Sequence, residues 1–137
     1  MGTKTDTKRI NATAATTVHS EIDTQKIENI TQGLAHYCFN MLHNRLLPQN
    51  RGNAMTICDY IIALKHEINL SDNYRDDIIM LLSRFSIFNK ALSFRQISRE
   101  DVLSFLDSSR KTETSDPLHK WIGTYNVTRM QLVRFFR

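Results

Sequence analysis

Apolar residues recur at Ile27, Ile30, Leu34, Cys38, Met41 and Leu42, the i, i+3, i+7, i+11 rhythm of one helical face. With Asp23 as N-cap and Pro48 disfavouring helical geometry in Leu47, the pattern predicts a single amphipathic helix over 23–47. Residues 1–22 show no periodicity and read as a flexible tail, and 48–55, with Pro48 and Gly52, reads as a linker. Thr56 with Asp59 three residues on resembles a capping box, and Ile57, Tyr60, Ile61, Leu64 and Ile68 mark a helix over 57–68. Ser71 caps the next, with Tyr74, Ile78, Leu81, Leu82, Phe85 and Phe88 on one face; at 1.5 Å per residue it is roughly 26 Å long. Ser98 with Asp101 opens a shorter helix burying Val102, Phe105 and Leu106, and the polar loop Lys111 to Pro117 ends it.

The final helix begins between Leu118 and Thr124. Ile122, Tyr125, Leu132, Val133 and Phe136 are expected on its buried face, and Lys120, Thr124, Val127, Gln131 and Arg134 on the opposite one. The predicted architecture is all-α: a four-helix domain over 56–137, with the 23–47 helix packed alongside. Composition agrees, since 137 residues with only four Gly and two Pro favour helices, and 41% apolar residues suffice for one modest core.

Charge changes the picture only when divided along the chain. Residues 1–23 are neutral, and 24–83 carry five basic and six acidic groups, but 84–137 carry ten Lys/Arg against five Asp/Glu. The later part therefore supplies the whole net charge of +4, an asymmetry that suits an anionic partner such as nucleic acid and equally an ordinary solvated surface.

Several function classes find no support. No apolar run approaches the roughly 20 residues of a membrane-spanning helix, and the first twenty residues lack the apolar centre of a signal peptide. Cys38 and Cys58 lie twenty apart with no Cys-x-x-Cys and read as buried reduced thiols, which points to a cytoplasmic protein. His19, His36, His43, His66 and His119 are dispersed, so neither a metal nor any other cofactor is expected. The three Asn-x-Thr matches, at Asn11, Asn29 and Asn126, are chance in such a protein.

Two segments carry possible binding chemistry. In Ser71-Asp72-Asn73-Tyr74-Arg75 a helix N-terminus offers free backbone N–H groups to a phosphate, and Asn73 and Arg75 add side-chain donors. Asp72, Asp76 and Asp77 are anions that could serve Arg75 instead, which leaves a purely structural role open. On the last helix, Lys120, Thr124, Asn126 and Arg129 are side chains suited to phosphates or base edges, although Arg129 projects near the apolar stripe. Arg84, Lys90, Arg95, Arg99, Arg110 and Lys111 form a possible phosphate track or a scattered solvated set. Trp121, Phe135 and Phe136 suit either base stacking or the core.

The order of Ile68-Asn69-Leu70-Ser71-Asp72-Asn73-Tyr74-Arg75-Asp76-Asp77, Leu82-Ser83-Arg84-Phe85, Ser98-Arg99-Glu100-Asp101-Val102-Leu103-Ser104-Phe105-Leu106-Asp107 and Asp116-Pro117-Leu118-His119-Lys120-Trp121-Ile122-Gly123-Thr124-Tyr125 resembles the amino-terminal core-binding domain of tyrosine recombinases, the phage-integrase family, in its archaeal branch. The likeness covers about Thr56 to Arg137. It implies a SAM-like four-helix domain that grips double-stranded DNA at a recombination half-site as one arm of a clamp. The helices after Ser71 and around Thr124 would lie against the major groove, with Ser71, Asn73, Arg75, Lys120, Thr124, Asn126 and Arg129 as DNA contacts.

Family catalysis uses a tyrosine nucleophile and a His-x-x-Arg group in a second domain. No His here is followed three residues on by Arg, and Tyr37, Tyr60, Tyr74 and Tyr125 fall on apolar stripes, so this chain alone is expected to cleave no DNA. The last helix ends on Leu132-Val133-Arg134-Phe135-Phe136-Arg137 without a Gly or Asn cap, so the chain is expected to be one domain of a longer protein or a truncated product. Its further partners would be a recombinase catalytic domain or full-length protomers. The alternative is a truncated recombinase half that acts as an interaction or inhibitory module through its apolar last helix.

Overall fold

In a computed structural model, the structure describes residues 21–110, 118 and 121–137. The proposed tail up to residue 20, the loop Lys111 to Pro117 and Lys120 lie outside the described residues. The described chain is all-helical. Helix α1 covers 21–31, α2 covers His36–Asn40 and runs on into a π-helical stretch at Met41–Leu46, α3 covers Arg51–Glu67 and α4 Asp72–Phe88. A 3-10 turn at Phe94–Gln96 leads to α5 (Arg99–Asp107), and α6 covers Trp121–Phe136. No described helix is long and apolar enough to cross a membrane.

The expected helix over 23–47 is two helices. Gly33 interrupts it at φ +84°, a left-handed conformation that glycine adopts without the Cβ clash other residues meet. The hydrophobic rhythm survives the break, because Ile27 and Ile30 on α1 and Cys38 and Leu42 beyond it are buried in one core. Asp23 is not a cap. It lies within α1, only 3% exposed, and accepts from Arg51 Nε at 2.6 Å and Nη2 at 3.0 Å, a two-pronged charge-assisted pair. Lys26 pairs with Asp59 at 2.6 Å, so two ion pairs fasten α1 to α3.

The expected linker 48–55 contracts to a turn over 47–50, because α3 starts at Arg51 rather than near Ile57. Its cap is Asn50, whose side chain accepts from the Asn53 N–H at 3.0 Å. Thr56 sits one turn inside, donating to the Gly52 carbonyl at 2.8 Å. Ser71 does cap α4, accepting from Tyr74 N–H at 3.1 Å. Ser98 and Asp101 form the complete capping box expected of α5.

One core joins α1 through α6, with Ile57, Ile61, Ile79, Leu82, Phe85, Leu106 and Leu132 at its centre. Asn53, also buried, donates to Ser86 Oγ and the Leu92 carbonyl, both at 2.8 Å, and accepts from Phe94 N–H at 3.1 Å. Those bonds hold the reversal after α4, where Lys90 and Ala91 both have φ +56°. Ala91 N–H reaches back to the Ser86 carbonyl at 2.8 Å, closing the end of α4. Because an L side chain is disfavoured there, Ala91→Gly should raise unfolding free energy by about 1 kcal/mol in urea titration. A loss of stability would show that the turn carries no such strain.

Helix α6 is rotated relative to expectation. Leu132 is fully buried and Trp121, Tyr125, Thr128 and Phe135 share its inward side, whereas Ile122, Val133 and Phe136 are exposed. The aromatics explain the rotation. Phe135 meets Tyr60 and Phe94 edge-on, each with ring centroids 5.0 Å apart, an arrangement only its inward placement allows.

Candidate nucleic-acid interface

The first turn of α4 separates its candidate residues. Ser71 and Asn73 are exposed, but Arg75 turns inward and is 6% exposed. Its Nη1 donates to the Ile30 carbonyl at 3.2 Å, and Nη2 to the Gln32 carbonyl at 2.8 Å and to Asp72 Oδ1 at 3.0 Å. The cation thus satisfies carbonyls at the end of α1, where the helix dipole favours positive charge. The expected contact between Arg75 and phosphate does not fit this placement, because the guanidinium is committed to the interior. Asp72, named in the sequence as an alternative anion, is one of its partners.

Farther along α4, Asn73, Asp77, Met80 and Arg84 recur at helical spacing on one stripe. This stripe faces α6 across a hollow of about 450 Å³ whose walls include Asp77, Arg84, Gly123, Thr124, Thr128 and Gln131. Thr124 is therefore brought to the α4 side as the sequence expected, and Val127 and Gln131 of the same face join it. Asp77 offsets Arg84 on these walls, so this groove is not itself cationic.

Asn126 and Arg129 belong elsewhere. At 100° per residue Asn126 is about 200° from Thr124, and both Asn126 and Arg129 are exposed on the open side of α6. Arg129, Met130, Val133, Arg134 and Arg137 surround a second hollow, of about 510 Å³, with no Asp or Glu on its walls. Arg134 reaches back toward α4, its Nη1 3.4 Å from the Tyr74 hydroxyl. Arg134 and Arg137 were not singled out from the sequence as contacts. The signal was present, since Asp116 is the last acidic residue and 117–137 hold Lys120, Arg129, Arg134 and Arg137 unopposed.

Among the other basic candidates, Arg110 lies over the Trp121 ring, 5.3 Å from its centroid, and 3.9 Å from Asp107. Phe135 is engaged with Tyr60 inside the bundle, and half-buried Trp121 packs edge-on against Tyr125 of its own helix, so neither ring is freely displayed for stacking.

Burial pushes the Cys38 and Cys58 thiols up to about 12, so both stay protonated at neutral pH. Tyr37 departs from the expected apolar stripe: it is 54% exposed and donates to Asp76 Oδ2 at 2.8 Å, a bond that raises its pKa. The Tyr60 pKa is also raised, by desolvation. None of these groups is poised as an activated nucleophile.

No protein-family model, curated protein or solved structure matches the chain.

Proposed function

We propose that this chain is a duplex-DNA-binding module of the kind its later sequence resembles, a core-binding domain of a tyrosine recombinase that grips a recombination half-site. In this reading α3, α4, α5 and α6 are the four helices of a SAM-like domain and α1 and α2 pack against it. Catalysis would belong to a partner recombinase domain. The supporting observation is the pairing of α6, which has no carboxylate, with the α4 stripe: Arg134 stands beside Tyr74 next to exposed Asn73, and Thr124 stands across from Arg84. Phosphate contacts from Arg84 and Arg134 would position the duplex, and Asn73 and Thr124 would approach base edges or sugar oxygens, while Asn126 and Arg129 face away from this groove. Lys120, four residues before Thr124 in sequence, is assigned to the same role.

Such binding depends on counterion release, so the test reads salt dependence as well as affinity. Arg84→Glu with Arg134→Glu should weaken binding to duplex DNA at least about tenfold and flatten the plot of log K against log salt by about 2. Fluorescence anisotropy across a salt series measures both. Wild-type affinity and slope in the double variant would refute the interface.

A further inference from the structure

On the other side of α6 from the α4 groove lies a hollow of about 350 Å³ between α5 and α6. Its walls are Ile97, Val102, Leu132, Val133 and Phe136, with Arg99 and Ser98 at the edge. Val133, 50% exposed, is also a wall of the hollow formed by Arg129, Met130, Arg134 and Arg137, so the two surfaces are continuous. Met130 is 65% exposed and Phe136 is exposed as well. The result is an apolar trough with arginines along both edges and no Asp or Glu among the residues lining either hollow.

Phosphates suit the arginines but not Val133, Met130 and Phe136, which gain nothing from a solvated sugar–phosphate backbone. A second α6 would bring three arginines against three arginines, which disfavours pairing two copies through this face. The N-terminus of α5 is already closed by Ser98 and Asp101, so the attraction for negative charge comes from the arginine side chains. Apolar floor and cationic edges together match one chemistry, an amphipathic helix with apolar anchors at i, i+3/i+4 and i+7 and Glu or Asp beside them.

We infer that the α5–α6 trough is a docking site for an acidic amphipathic helix of a partner protein. Val133 and Phe136 receive its apolar anchors while Arg99, Arg129 and Arg137 pair with its carboxylates. The site lies apart from the α4 residues and Thr124 of the proposed DNA face, which do not line it, and shares with that face only Arg134, at its edge.

The probe is a synthetic peptide of roughly 18 residues, enough to run the length of α6, with Leu at helical spacing and Glu on its flanks. A second peptide carries Lys in place of Glu. Titrated into the full chain at about 0.15 M salt, the Glu peptide should bind saturably and gain helicity by circular dichroism. The Lys peptide should bind at least about tenfold more weakly. Val133→Asp and Arg99→Glu, both at exposed positions, should each weaken the Glu peptide about tenfold or more while leaving the melting temperature unchanged. Equal binding of the two peptides, or wild-type affinity in Val133→Asp, overturns the inference. So does binding to phosphatidylserine-containing vesicles without peptide binding, which would make the face a lipid surface, or self-association of the chain abolished by Val133→Asp. Arg84→Glu alone separates the two readings: it should lower DNA affinity and leave Glu-peptide binding unchanged, since Arg84 lines neither hollow of the trough.

Discussion

Replacing Asn53 by Leu should lower the unfolding free energy by about 3 kcal/mol, although the two side chains are similar in size and the position is buried. The amide donates to Ser86 Oγ and the Leu92 carbonyl and accepts from Phe94 N–H, so Leu leaves a backbone acceptor and a backbone donor without their partner beside the core. Each such orphan costs about 1–3 kcal/mol when it cannot reach water. The penalty is not cavity formation, which distinguishes it from ordinary core truncation. Ser86→Ala is the control: it removes one acceptor from the amide and should cost about 1 kcal/mol. Urea unfolding of the three proteins checks the comparison. Equal stability of Asn53→Leu and wild type would mean that the reversal after α4 is held by packing alone.

The second large effect concerns Arg75. Arg75→Met should cost about 3 kcal/mol, because it strips the end of α1 of the cation that satisfies the Ile30 and Gln32 carbonyls. Asp72, whose side chain is largely exposed, can turn to water and limits the loss. The damage should be local at first: hydrogen exchange of amides in 21–31 should accelerate more than in α3. Where the variant remains folded, its DNA affinity should keep the wild-type salt slope, since the guanidinium does not reach the surface. A slope reduced by about 1 would show instead that Arg75 contacts a phosphate.

These residues also mark how much could be read before the fold was seen. Ser71 and the Ser98–Asp101 pair were legible because a cap acts within four residues, and the α4 stripe was legible because every turn of it repeats the same choice. The break at Gly33 was signalled by a glycine inside a helical pattern, but the hydrophobic rhythm continues across it and masked the interruption. The start expected at Thr56 gave way to Asn50, because Arg51 pairs with Asp23 and Asn50 donates to the Ala91 carbonyl, partners distant in sequence that hold the turn.

Inward placement of Arg75 was not decidable from its neighbours, since its main partners are carbonyls more than forty residues away. The same holds for Asn53. For α6, periodicity located the helix, but two adjacent apolar stripes competed for the core, and the distant ring partners of Phe135 decided between them. Of the candidate site, Thr124 lines the α4–α6 groove, Asn73 is exposed one turn before Asp77 on α4, Asn126 and Arg129 fall to another side, and Arg75 is buried.

Helix α6 is fastened unevenly. Its fully buried residue, Leu132, and the rings of Phe135 and Phe136 all fall in its last two turns, while an added Cβ at Gly123 would meet nothing within 4 Å. The start of the helix has lighter ties, Trp121 beneath Arg110 and Tyr125 against the core. The Tyr60–Phe94–Phe135 joint therefore has the larger share in setting how α6 leans, and with it the gap between Thr124 and Arg84, through rings that never touch whatever enters it.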